Sequence, residues 1–141
     1  MITVKIADAE FKNLKNYLRT LVTKNHKRSM MRAAAEGLNR IQKRTSLGLD
    51  LQEQPFRPYS EAYKGFRKSK GKGTDKVKLI FTGRMRKSMQ YGMRGQDGII
   101  NFDSRREAEK AAMNTPKRPF FGLNRGDERA VREAYFKGLK I

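Results

Sequence analysis

The chain has 141 residues, of which 37% are apolar, with 33 Lys and Arg against 14 Asp and Glu for a formal charge of +19. That is one domain's worth of sequence with material for only a thin core, and its charge favours a polyanion or an acidic protein surface as partner. Cysteine is absent, which excludes disulfides, thiolate nucleophiles and thiolate metal sites. No apolar run approaches the ~20 residues of a membrane span. The N-terminus alternates instead of forming an apolar leader block, so the expectation is a soluble protein made in cytoplasm.

Ile2, Val4 and Ile6 alternate with polar residues, the pattern of a short strand with one buried face. Asp8 can cap a helix in which Phe11, Leu14, Leu18, Leu21 and Val22 form one apolar stripe. The polar stretch Lys24 to Arg28 reads as a break, after which Ser29 can cap a second helix with Met30, Ala34, Leu38 and Ile41 on one face. The run Ala33-Ala34-Ala35 would permit close packing against a neighbour. From Thr45 to Tyr63 the glycine and prolines interrupt any helical period, so a loop is expected, anchored by Phe56 and Tyr59.

Residues 64–78 are basic and glycine-punctuated, and they read as a flexible loop. Its cations Lys64, Arg67, Lys68, Lys70, Lys72 and Lys76 are the candidate contacts for a polyanion or an acidic partner. Leu79-Ile80-Phe81 then lead into a helical turn that Thr82 could cap, with Met85 and Met89 along it. Met89–Met93 and Ile99–Phe102 flank a glycine-containing turn and predict a hairpin. Arg105 to Met113 predicts a short polar helix. Asp127 is expected to open a last helix with Ala130, Val131, Ala134, Tyr135 and Leu139 on one face.

Between those last two helices, Pro116-Lys117-Arg118-Pro119-Phe120-Phe121-Gly122-Leu123-Asn124 should be stiff and extended, because each proline fixes its own φ and restricts the residue before it. If extended, it sends Phe120 and Phe121 to opposite sides. Two placements follow: both rings in the chain's own core, or one inward and one toward a neighbouring chain.

Nothing in the sequence assembles a catalytic set. The single histidine, His26, sits among Lys24, Lys27 and Arg28 and reads as a solvated loop residue. Glu107 with Glu109, and Asp127 with Glu128, read as solubilising charges, the second pair also complementing a helix N-terminus. Gly71-Lys72-Gly73-Thr74 lacks the full phosphate-loop pattern and a preceding strand. No enzyme activity, cofactor or metal is expected. The basic run could bind nucleic acid through phosphates, although no recognition helix or zinc spacing accompanies it.

Three stretches in this order resemble the tailed-phage virion morphogenesis (tail-completion) family: Gln54 to Ser60, Leu79 to Met89, and Pro116 to Asn124. That family carries an aromatic-x-Pro-Leu-Ser segment, then Thr-Gly-Arg-Leu-x-x-Ser, then Pro-Ala-Arg-Pro-Phe-Leu-Gly-Leu. The matching positions are Phe56, Pro58 and Ser60; Thr82, Gly83, Arg84 and Ser88; and Pro116, Arg118, Pro119, Phe120, Gly122 and Leu123. The likeness spans about residues 30 to 141; Phe56 stands where the family has Trp, and residues 107–114 depart from its Tyr-Ala-x-x-His-Gln-x-Gly segment.

The resemblance implies a non-enzymatic virion protein of the neck or tail, assembled in the host cytoplasm, that completes the tail or joins it to the head. Its implied partners are its own copies in a ring, with a hexamer among the candidate counts, and other neck, connector or tail-tube proteins. Genomic DNA is a further candidate contact. The expected fold is a single α+β domain whose small antiparallel sheet unites the N-terminal strand with the hairpin, packed by two or three long helices. The expected subunit interface is Pro116, Arg118, Pro119, Phe120, Phe121 and Gly122 with Phe56 and Tyr59. Phe120 should point inward and Phe121 or Arg118 toward a neighbour. The alternative expectation is a small basic nucleic-acid-binding or ribosome-associated protein.

Overall fold

The computed structural model describes residues 8–79 and 83–139, with side chains in the first helix described from Lys12 onward. The expected N-terminal strand and the Thr82 cap lie outside the described residues. Within them the fold is α+β, five helices with one two-stranded antiparallel sheet.

The largest element is α1 (Asp8–Ser46), a single 39-residue helix. The break expected at Lys24 to Arg28 does not occur. Lys and Arg are good helix formers, Asn and His are only mildly poor ones, and neither glycine nor proline interrupts the chain before Gly37. Ser29 is therefore no cap: it is fully buried on the helix flank, and its Oγ has no hydrogen-bond partner. The helix stops at Gly48, whose φ of +75° is a left-handed conformation that suits glycine. Leu49 N–H reaches back to the Arg44 carbonyl (3.1 Å) and Gly48 N–H to that of Thr45 (3.0 Å), the bond pair of a Schellman motif.

The same device ends α2 (Glu61–Ser69), which Ser60 caps by accepting from Tyr63 N–H. Gly71 has φ +66°, and the N–H groups of Lys72 and Gly71 bond the carbonyls of Arg67 and Lys68. The basic run expected to be a loop from residue 64 is thus helical as far as Ser69, and Gly71 serves as its stop signal.

After α3 (Arg84–Ser88) come β1 (Met89–Arg94) and β2 (Asp97–Phe102), paired from Met89 with Phe102 to Arg94 with Asp97 around the two-residue loop Gly95-Gln96. Ser88 ties the open end of this hairpin, its Oγ donating to Asp103 Oδ1 at 2.6 Å. Ser104 caps α4 (Arg105–Asn114). In α5 (Arg125–Gly138) the cap is Asn124; Asp127, expected to open the helix, is its third residue and closes a capping box with Asn124.

The hairpin and α5 both pack on the C-terminal half of α1, and small side chains set how closely. A Cβ on Gly37 would lie 2.8 Å from Ile100 Cδ1 and 3.4 Å from Val131, and one on Gly138 would lie 2.9 Å from Ser29 Oγ. Gly98 approaches Ala34 and the Met30 carbonyl in the same way. The neighbour anticipated for the Ala33-Ala34-Ala35 run includes this protein's own hairpin. Leu38, Ile41, Phe56, Tyr59, Val77, Met89, Ala111 and Phe120 form the core, with Ile100, Phe102, Phe121 and Leu123 packed against it.

Candidate interaction surface

The stiff segment from Pro116 to Asn124 crosses the C-terminal end of α1, and a buried charge cluster holds it there. Phe120 is 0% exposed, the most deeply buried large side chain described. Arg44, itself buried in α1, donates from Nη2 to the carbonyls of Phe120 (3.0 Å) and Gly122 (2.9 Å) and from Nη1 to Asp127 Oδ2. Asp127 Oδ1 accepts from Arg40 Nε at 2.8 Å, and its Oδ2 also accepts from Asn124 N–H at 3.0 Å. Burial alone would raise the Asp127 carboxyl. The hydrogen bonds from Arg40, Asn124 N–H and Arg44, with the Arg44 charge, outweigh burial and hold its pKa below the ordinary value. Neither Arg44 nor this use of Asp127 was visible in the charge pattern.

The segment's outer side is also tied down. Leu51 N–H donates to the Pro119 carbonyl (2.8 Å), Asn124 Nδ2 to the Leu51 carbonyl (3.1 Å), and Gly122 lies against the Leu51 side chain. Phe121 does not turn away from Phe120: their ring centroids are 6.3 Å apart, and Phe121 also packs on Phe102 at 4.9 Å. Both rings therefore belong to this chain's own packing, with Phe121 half-buried at its margin. Arg118, expected to point toward a neighbour, folds back to donate to the carbonyls of Arg57 (2.9 Å) and Pro58 (3.1 Å). Pro116 is exposed and Pro119 half-buried.

Two guanidinium groups lie over the Tyr59 ring, Arg67 at 4.8 Å and Arg118 at 5.3 Å from its centroid. Arg67, expected as an outward-facing contact, is buried and donates from Nε to the Gly73 carbonyl at 2.8 Å. Lys64 is half-buried and pairs with Glu61 at 3.0 Å, whereas Lys68, Lys70, Lys72 and Lys76 are exposed. A hollow of about 490 Å³ beside this stack is lined by Tyr59, Tyr63, Gly83, Met85 and Arg118, with Glu107 in its wall. Glu107 is buried, its Oε1 accepting from Lys110 and its Oε2 without a hydrogen-bond partner; it is not the solubilising charge its sequence suggested.

His26 is likewise no loop residue. It sits on α1 and bridges two elements, Nε2 with the Gln96 carbonyl at 2.9 Å and Nδ1 with the Tyr135 hydroxyl at 2.8 Å. Since a carbonyl only accepts, Nε2 carries the proton, and in the neutral ring Nδ1 accepts from Tyr135. Among the described residues no group of three His, Cys, Asp or Glu could hold a metal ion, and no helix is long and apolar enough to cross a membrane. No family model, curated protein or solved structure matches this chain.

Proposed function

We propose that this protein is a non-enzymatic structural component of a tailed-phage virion, completing the tail or joining it to the head as one subunit of an oligomeric ring in the neck. One observation carries the reading. The three stretches that resemble the tail-completion family, far apart in sequence, converge on one region: Arg118 of the third bonds the Arg57 and Pro58 carbonyls of the first, and Tyr59, Gly83, Met85 and Arg118 line a common hollow. A spacing shared with that family is thus a spatial unit in this chain. The low apolar content and the exposed apolar residues on α1 fit a subunit that gains stability from neighbours.

The test is native mass spectrometry and negative-stain imaging of the purified full chain at assembly concentrations, alone and with connector and tail-tube proteins. A ring or a stable complex is expected. A strictly monomeric protein, inert toward every virion component, would overturn the proposal. A second reading, a small basic nucleic-acid-binding protein, draws on the exposed Lys68, Lys70 and Lys72. It requires duplex binding that falls steeply with salt and weakens when these three become Gln.

A further inference from the structure

α1 is much longer than anything that covers it. At ~1.5 Å per residue its 39 residues span about 58 Å, whereas the 14 residues of α5 span about 21 Å. The two run antiparallel: α5 starts beside Arg40 and Arg44, through Asp127, and ends with Gly138 against Ser29. The face of α1 that α5 covers does not end there. Ser29 and the buried Asn25 continue at three- and four-residue spacing into Leu21, Leu18 and Leu14, so the same stripe runs on toward the N-terminus past the end of its partner. There it is open: Leu18 is 48%, Leu14 49%, Val22 63% and Tyr17 65% exposed.

A groove of about 510 Å³ marks the point where α5 runs out, lined by Leu21, Val22, His26, Tyr135 and Leu139. Charge narrows what could occupy the stripe. From residue 11 to residue 35 the chain has seven Lys and Arg and no Asp or Glu, with Lys15 and Arg19 beside the exposed leucines. Two copies of this arm laid together would oppose the cations of residues 12–32, with only Asp8 and Glu10 at the start of the helix to offset them. A nucleic acid would answer the charge and leave the leucines uncovered. A membrane surface would answer both, but the inner end of the stripe, at Asn25 and Ser29, already accepts a helix of this chain, which favours a helix as the occupant of the rest.

We infer that the N-terminal half of α1 is a docking arm for an acidic amphipathic helix of another protein, which lies along Leu14, Leu18 and Leu21 in continuation of α5 and places carboxylates beside Lys15 and Arg19. The inference stands apart from the head-to-tail reading: it concerns the chemistry of the partner, and a monomeric protein could still carry the arm.

A labelled 21-residue peptide with Leu at heptad positions a and d and Glu at e and g serves as probe against the full-length protein by fluorescence anisotropy. Binding should be at least tenfold tighter than for the same peptide with its leucines replaced by serine. It should weaken at least tenfold with Leu14→Ser/Leu18→Ser and with Lys15→Glu/Arg19→Glu, and fall between 50 and 500 mM salt. Both variants alter exposed positions, so circular dichroism and thermal unfolding should match wild type. Equal binding by wild type and both variants would overturn the inference. So would absence of peptide binding accompanied by arm-dependent dimerisation in analytical ultracentrifugation, or by arm-dependent partition onto phosphatidylglycerol vesicles.

Discussion

The two halves of α1 share one helix and differ in what they face. From Asn25 to Arg44 one face of the helix is buried: Ser29, Ala34 and Gly37 admit the hairpin and α5, Leu38 and Ile41 enter the core, and Arg44 is engaged through its guanidinium. From Lys12 to Val22 the same helical period carries Leu14, Tyr17, Leu18 and Val22, each with about half or more of its surface open to solvent. The difference is one of partner, since both halves are equally helical. Small residues mark where the backbone of another element comes close to α1, beside the buried Leu38 and Ile41; Leu14, Leu18 and Tyr17 mark where the helix offers surface that neither α5 nor the hairpin covers.

The largest loss of stability is expected from Arg44→Met, in the packed half. The substitution leaves Asp127 buried with one guanidinium fewer and removes two hydrogen bonds to the segment that carries Phe120. Removing one member of a buried pair costs ~3–5 kcal/mol, to be read from urea denaturation. A cost below ~1 kcal/mol would mean that the cluster does not hold the segment in place. The same cluster makes stability depend on pH. The folded pKa of Asp127 is lowered from 3.8, so its contribution is fully present above 3.8 and declines as pH falls through the folded value. Asp127→Asn should lack that part of the acid-side decline and be less stable at neutral pH.

Gly138→Ala probes how close the packing is at the end of α5. The new Cβ would meet Ser29 Oγ at 2.9 Å and Ser29 Cα at 3.1 Å, and the second contact is backbone that cannot rotate aside. Overpacking of this kind costs ~1–3 kcal/mol, measured as a lower thermal midpoint. Gly138→Ala combined with Ser29→Gly should recover part of the loss, because the hydroxyl it strikes is gone.

Arg118→Ala is expected to cost about 1–2 kcal/mol, from two hydrogen bonds to carbonyls and a cation over Tyr59. This residue shows where sequence reading falls short. The extended Pro-x-x-Pro segment suggested that Phe121 or Arg118 would reach outward, but alternation across a strand assumes a strand, and here the chain bends at Phe121 and Gly122 and both phenylalanines pack together. Elements with strong local signals were legible: the hairpin, α4, α5 and the apolar stripe of α1 all follow from periodicity and caps. The Lys24 to Arg28 break was misread because a cluster of charge resembles a loop in composition while each residue tolerates a helix. Arg44, Arg67 and Glu107 were missed for a related reason. A charge is assigned to solvent by default, and only tertiary structure brings the carbonyls, rings and counter-charges that let it be buried.

The smallest effect should come from the most apolar-looking change on the exposed half, Leu18→Ser. In a packed helix, losing a leucine costs ~2–5 kcal/mol, as Leu38→Ala should here. Leu18 is half exposed in a segment that neither α5 nor the hairpin covers, so its replacement should stay within about 0.5 kcal/mol, mostly helix propensity. Amide exchange provides the independent reading. Amides of residues 12–22 should exchange through local opening well before those of residues 30–44, since their hydrogen bonds are not backed by packing. If residues 12–22 were as protected as the buried half in the isolated protein, the arm would already have a partner, and the division of α1 into a packed half and an offered half would fail.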